Sequence, residues 1–196
     1  MKYNIPLILF AGGQSSRMGQ DKSLLPFASY NSLSEFQYVR LHKLFSDIYI
    51  STKEDKFDFK ANIILDRYEE SSPLIGLISV FETLVADEVF ILSVDAPFID
   101  EAIIKVLIQN KEKYETIIAQ TKSGKHPLCG IYKRSILPLA KTHLKENDHR
   151  MGNLLKAVDT KFVFFEDDSF FTNLNHPHEY KEAVRRIDSS PLSSVP

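Results

Sequence analysis

Short apolar runs alternate with segments of helical spacing along most of this chain, and that alternation limits the fold more than any other feature. Residues 5–10, IPLILF, read as a buried strand, with Pro6 tolerated at its start. Residues 34–45 read as a helix opened by SEFQ, which fits a capping box, with Phe36, Val39, Leu44 and Phe45 on one face. DIYIST and NIILD follow as strands, and Leu74, Leu77, Ile78, Phe81, Leu84 and Val85 keep the helical period. VFILSV from Val89 is apolar at five of six positions, which suits a parallel strand covered on both faces. Asp100 caps a helix over EAIIKVLIQN. ETIIAQ, PLCGIY and KFVFF are further strands, with helices from Ser135 and near Pro177. The expected fold class is α/β, a single-domain, mostly parallel sheet with helices on both faces. One domain is expected over 1–187, with a disordered Ser- and Pro-rich tail over 188–196.

Composition narrows the function classes. The 196 residues are 43% hydrophobic, enough for one sizeable core. The net charge is -2 and the Lys and Arg residues are scattered, so no basic face for nucleic acid is implied. The one cysteine, Cys129, lies in an apolar run and reads as a core thiol, which excludes a disulfide framework and a cysteine zinc site. No run reaches the roughly 18 apolar residues of a membrane helix. The start MKYNIPLILF turns polar too soon for a secretory signal, so a cytoplasmic setting is expected.

In parallel sheets ligands bind outside the carboxyl ends of the strands, so the loops after Phe10 and Val94 matter most. The first, AGGQSSRMGQDK, fails the Walker A spacing and the G-x-G-x-x-G fingerprint. It shares their physics. Gly12 and Gly13 let backbone N–H groups approach a ligand closely, and Ser15 and Ser16 add hydroxyl donors. Arg17 and Lys22 pair a forked guanidinium with a point-like ammonium, which together suit a triphosphate. A solvated turn with incidental charges is the alternative. The second loop places Asp95 at a strand end, where a carboxylate is well set for Mg²⁺. Its alternative is a turn cap before Pro97. Asp66 reads equally as a strand-end turn residue.

The stretch AGGQSSRMGQDKSLLPF resembles the N-terminal signature of the molybdenum cofactor guanylyltransferases, with Phe10 in place of the usual leucine. DAPF resembles that family's Asp-x-Pro-Phe segment, whose aspartate holds magnesium. LDRYEESSPLIGL resembles the segment carrying Asp66 and Gly76, with Ser72 where a glycine is expected. In YISTK, Ser51 stands where relatives place a base-binding asparagine. KHPLCGIYKRSI, HRMGNLLKAV and FFTNLNHPHEY resemble later, acceptor-side motifs. The resemblance implies a Rossmann-like nucleotidyltransferase fold and transfer of GMP from GTP to molybdopterin, or its molybdenum-loaded form. It implies Arg17, Lys22 and Asp95 as catalytic residues, with Mg²⁺ on Asp95. Phe10, Ala11, Gly12, Gly13, Lys22, Asp66, Gly76 and Asp95 would line the nucleotide side. Arg150, Asn173 and Asn175 would line the pterin side. A transient contact with molybdoenzyme maturation proteins would follow.

Other readings stand beside it. Gly12 favours guanine, since cytidylyl relatives carry alanine there, yet cytidylyl transfer or transfer to a sugar phosphate fits the same fold. Ser51 and Ser72 motivate a non-catalytic nucleotide-binding module. Arg150 reads as an exposed arginine, Asn175 as a helix cap and His126 as a packed histidine. His149, His176 and His178 do not read as a metal site, because His176 and His178 do not share a helix face.

Overall fold

The structure is a computed structural model that describes residues 2–12, 20–111 and 113–188. Seven strands form one sheet: β1 (Leu7–Phe10), β2 (Ile48–Thr52), β3 (Asn62–Leu65), β4 (Glu88–Ser93), β5 (Thr116–Thr121), β6 (Gly124–Lys133) and β7 (Thr160–Phe164). Among the described residues six helices accompany them: α1 (Leu33–Leu41), α2 (Pro73–Thr83), α3 (Glu101–Gln109), α4 (Leu137–Lys145), α5 (Met151–Ala157) and α6 (Pro177–Asp188). The strand order is β3-β2-β1-β4-β6-β5-β7. Strands β1, β2, β3 and β4 pair in parallel, as do β5 and β7, while β6 runs antiparallel to both of its neighbours.

The pleat explains the two-sided core. Successive residues of a strand face opposite sides. Leu7 and Leu9 of β1 join Phe90 and Leu92 of β4 under Ile103, Ile104 and Leu107 of α3, with α1 and α6 on that face. Ile8 and Phe10 join Val89 and Ile91 on the other face, under α2, α4 and α5. All four β1 residues are buried, as a central parallel strand requires.

Local chemistry corrects several expected boundaries. Strand β1 starts at Leu7, not Ile5: Pro6 has no N–H for the ladder, though its carbonyl accepts from Phe90 N at 2.8 Å. The capping box of α1 sits two residues earlier than SEFQ. Ser32 Oγ accepts from Glu35 N at 3.1 Å, and Glu35 Oε2 accepts from Asn31 N at 3.1 Å. Helix α2 ends at Thr83, so Leu84 is its cap and Val85 is exposed. Its last carbonyls are met from outside, because the Arg134 guanidinium donates to Phe81 O, Leu84 O and Ala86 O. The expected helix from Ser135 is a 3₁₀ turn, Arg134–Ile136, that leads into α4. Helix α5 has no counterpart among the expected elements. Its Met151, Leu154 and Leu155 are buried, but seven residues with Gly152 in the first turn give a short pattern. Of the expected tail, Asp188 ends α6 and the rest lies outside the described residues.

Strand β6 is bent where β5 and β6 shift register between Ile118 and Ala119. Gly130 lies opposite that step: a Cβ there would come within 2.1 Å of Ile117 O. The shift leaves Pro127 and Leu128 outside the β5 ladder, at the same sheet end as the carboxyl ends of β1 and β4. Among the described residues no helix is long and apolar enough to cross a membrane.

Candidate active site

The ends of β1 and β4 lie side by side, with Phe10 opposite Ser93. Asp95 follows β4, and its Oδ1 accepts from Ser93 Oγ at 2.6 Å. Lys22 sits on a short 3₁₀ turn, Lys22–Leu24, capped by Asp21, whose carboxylate accepts from Ser23 N at 2.9 Å. That turn carries Lys22 Nζ to 2.7 Å from Asp95 Oδ2 and 2.9 Å from Asn175 Oδ1. The two charged side chains are 17% and 14% exposed, so water screens them less than a surface pair. The segment holding Asn173 and Asn175 is itself tied down, because Leu174 N donates to Asp95 O at 2.9 Å.

Cavities flank this ion pair along the sheet edge. One of about 500 Å³ lies over β1 and β2, lined by Gly12, Ser51, Lys53, Asp66, Ser72 and Gly76 among others. One of about 200 Å³ lies over β4 and β6, lined by Asp95, Lys125, His126, Leu128, Phe171 and Asn173 among others. A third, of about 190 Å³, joins them over Ala11, Lys22 and Asp95. Leu128 lines all three. A combined cleft of this size suits a nucleotide and a second substrate.

The walls have chemical character. A Cβ on Gly12 would sit 3.9 Å from Asp66 Oδ2 and from Thr52 Cα. That is ordinary contact, so packing does not demand glycine here, and the bare backbone is open to a ligand. Gly76 differs: a Cβ would lie 3.1 Å from Phe10 Cε2 and 3.2 Å from Ser51 Oγ, so it lets α2 pack tightly on the sheet. Burial pushes the Asp66 carboxyl above its usual value, against the opposing pull of Lys53 and Ser51. Its Oδ1 is buried without a hydrogen-bond partner among the described residues, an acceptor left for a ligand's donor. Ser72 caps α2 through Ile75 N at 3.3 Å, and its Oγ lies 3.0 Å from His149 Nδ1. His126 stacks on Phe171 with ring centres 4.6 Å apart and meets Thr121 Oγ1 at 3.0 Å. Burial lowers its pKa, against the pull of Asp168.

The structure thus gathers Phe10, Ala11, Gly12, Lys22, Asp66, Gly76, Asp95, Asn173 and Asn175 around one cleft. Gly13 and Arg17 lie outside the described residues. Asn175 is not the cap of α6. Glu179 Oε2 reaches back to Asn175 N and His176 N, both at 2.7 Å, and leaves the Asn175 side chain to Lys22. Arg150 is the N-cap residue of α5, exposed, and its guanidinium has no hydrogen bond or ion pair with the described residues. Its neighbour His149 touches Ser72, on the Gly12 side of the cleft. Sequence reasoning missed Ser93, Lys125 and Leu128. The proline at 127 within a strand pattern was the available signal for the bend that brings Leu128 in.

Among the described residues no group of three or more His, Cys, Asp or Glu is placed to hold a metal ion. Asp95 alone still fits Mg²⁺, which takes one or two carboxylates and completes its shell with water and phosphate oxygens. Lys22 Nζ at Asp95 Oδ2 marks that spot as one where positive charge is stable.

Comparison with known proteins bears on this cleft. The sequence profile of the family described as MobA-like NTP transferase domain matches residues 7–161. A molybdenum cofactor guanylyltransferase of Campylobacter jejuni (strain RM1221) is 41% identical over 183 residues, 92% of this chain and 95% of its own. That of Helicobacter pylori (strain G27) is 34% identical over 188 residues, 93% of this chain and 92% of its own. The solved molybdopterin-guanine dinucleotide biosynthesis protein A from Archaeoglobus fulgidus superposes with a TM-score of 0.80 at 16% identity, covering 95% of this chain and all (100%) of that one. A CMP:2-keto-3-deoxy-manno-octonic acid synthetase bound to CTP gives 0.77 at 13% identity, over 95% and 99% of the two chains. At such identities the likeness speaks for the fold.

Proposed function

Because the chain belongs to the MobA-like NTP transferase domain family, we propose that it transfers GMP from GTP to the phosphate of molybdopterin, bare or molybdenum-loaded, and releases pyrophosphate. The observation that carries this reading is the Lys22–Asp95 pair at the joined ends of β1 and β4, with a cavity on either side. An acceptor phosphate oxygen attacks the α-phosphorus in line, the new P–O bond forms, and the bond to the bridging oxygen breaks as pyrophosphate leaves. No protein nucleophile is needed, so position and charge carry the chemistry. Lys22, with Arg17 from the same loop, takes up charge on the leaving pyrophosphate, and the bare backbone of Gly12 is open to the phosphates, while the Ala11 N–H is held by Ser51 O. Asp95 would hold Mg²⁺, which supplies charge neutralisation between phosphates. Gly12 and Asp66 line the nucleotide side. Asn173, Asn175 and the exposed Arg150 guanidinium serve the acceptor, since amides both donate to and accept from a pterin and an arginine grips a phosphate. The reaction would run in the cytoplasm, where a single reduced cysteine is at home, with transient hand-over to molybdoenzyme maturation proteins.

The test is pyrophosphate release by the purified protein with Mg²⁺, molybdopterin and each of GTP, CTP and ATP. GTP should be preferred strongly, because a wrong base leaves buried polar groups such as Asp66 unpaired. Equal or better use of CTP would move the chain to cytidylyl transfer. No release with any nucleotide would leave only a binding module.

A further inference from the structure

Lys56, in the segment after β2, stands outside every motif singled out above. Its Nζ donates to Ala11 O at 3.3 Å and to Asp21 Oδ2 at 2.5 Å. Ala11 is the last residue before Gly12, and Asp21 is the residue before Lys22, with residues 12–20 between them. One ammonium therefore spans both ends of the glycine-rich loop. Its anchor is firm at the Ala11 end, where Ala11 N donates to Ser51 O at 3.0 Å. At the other end Asp21 Oδ1 accepts from Ser23 N at 2.9 Å and from Ser23 Oγ at 2.6 Å, which fixes the turn that presents Lys22. Burial alone would raise the Asp21 carboxyl, but the hydrogen bonds from Lys56 and Ser23 outweigh it and hold the group below its usual range.

A surface ion pair contributes little, since water screens it and two long side chains must be ordered. This one differs in two ways. The Lys56 side chain is only 16% exposed, and it joins a carboxylate to a backbone carbonyl from a different element. Bringing two chain ends together has an entropic penalty, and a clasp that holds them before the ligand arrives removes that penalty from binding.

We propose that Lys56 is a positioning residue for the nucleotide: it clasps Ala11 to Asp21, and so sets Lys22 and the backbone of Gly12 in place for the phosphates. The proposal rests on the GTP reading of the cleft, and its test separates the two. Lys56→Met, Lys56→Arg, Asp21→Asn and the Lys56→Met/Asp21→Asn double variant are compared with wild type by amide hydrogen exchange without ligand, and by steady-state kinetics with GTP and molybdopterin. In Lys56→Met, the amides of residues 20–25 should exchange faster. KM for GTP should rise by roughly five- to tenfold, the scale of one ordinary hydrogen bond since Lys56 acts through the loop and not on the ligand, while KM for the acceptor stays within about twofold. Lys56→Arg should recover most of the loss, and the double variant should be no worse than the worse single variant, because both remove one contact. Unchanged exchange at 20–25 with unchanged KM for GTP overturns the clasp. So does a fully additive double variant, which would make Lys56 act apart from Asp21. Should wild type release no pyrophosphate from GTP, the functional reading falls, and the exchange comparison alone still decides for or against the clasp.

Discussion

Asp95 has both carboxylate oxygens engaged, Oδ1 by Ser93 and Oδ2 by Lys22, while its backbone carbonyl holds Leu174. Only the side-chain bonds depend on charge. Asp95→Asn keeps the size and the backbone contact, so the fold should persist with a melting temperature within a few degrees of wild type. Turnover should fall on the order of a hundredfold or more, as charge stabilisation of the transition state is removed. Near-normal turnover in a purified, folded variant would end the assignment of Asp95 to the metal. The carboxylate itself was legible as an aspartate at the end of an apolar strand. Asn175, the other partner of Lys22, reads from the residues alone as a helix cap and gains a ligand role only through the family resemblance, because the sequence cannot tell that Glu179 takes the cap and frees the amide for a lysine 153 positions away.

At the scale of elements, Ser72 shows how a departure from a family pattern can be structural. The residue stands where a glycine was expected, yet its φ of -158° and ψ of 159° are extended backbone open to any residue. Nothing about the turn needs glycine, and the hydroxyl caps α2 instead. Ser72→Ala should lower the free energy of unfolding by about 1 kcal/mol, and Ser72→Gly by clearly less, since glycine is a tolerable N-cap. Equal losses in urea titrations would mean that capping is not what the hydroxyl does. Long, strongly patterned elements such as β4 and α3 were readable because burial on both faces, or an aspartate before a periodic run, is local information. Helix α5 and the antiparallel direction of β6 were not. A seven-residue helix shows hardly two turns of pattern, and the direction of β6 follows from its two-residue link to β5, Lys122 and Ser123, which is a hairpin only once the pairing of Thr121 with Gly124 is known.

At the scale of the whole molecule, the strand order places two cavities on either side of one ion pair. Strands β1 and β2 floor the cavity of Gly12 and Asp66, while β4 and the bent start of β6 floor that of Asn173 and His126. Lys22 is the hinge of this arrangement, touching Asp95 in the middle and Asn175 from the C-terminal segment. A molecule divided this way should lose its two substrates separately. Lys22→Ala removes a cation from the triphosphate and should weaken GTP binding about tenfold or more, the scale of a lost charge-assisted bond. Asn173→Ala and Arg150→Ala should instead weaken molybdopterin binding and leave the GTP dissociation constant within about twofold of wild type. Arg150 is the sharpest of the three variants. Its neighbour His149 rests on Ser72, which also lines the Gly12 cavity, so the acceptor role of Arg150 is the one that the nearby contacts test hardest. If it serves the acceptor phosphate, titration of each ligand into Arg150→Ala by calorimetry will show the pterin weakened and GTP unmoved. Loss of GTP with the pterin retained would assign Arg150 to the nucleotide cavity and overturn the division. No change in either titration would leave it an exposed arginine with no part in binding.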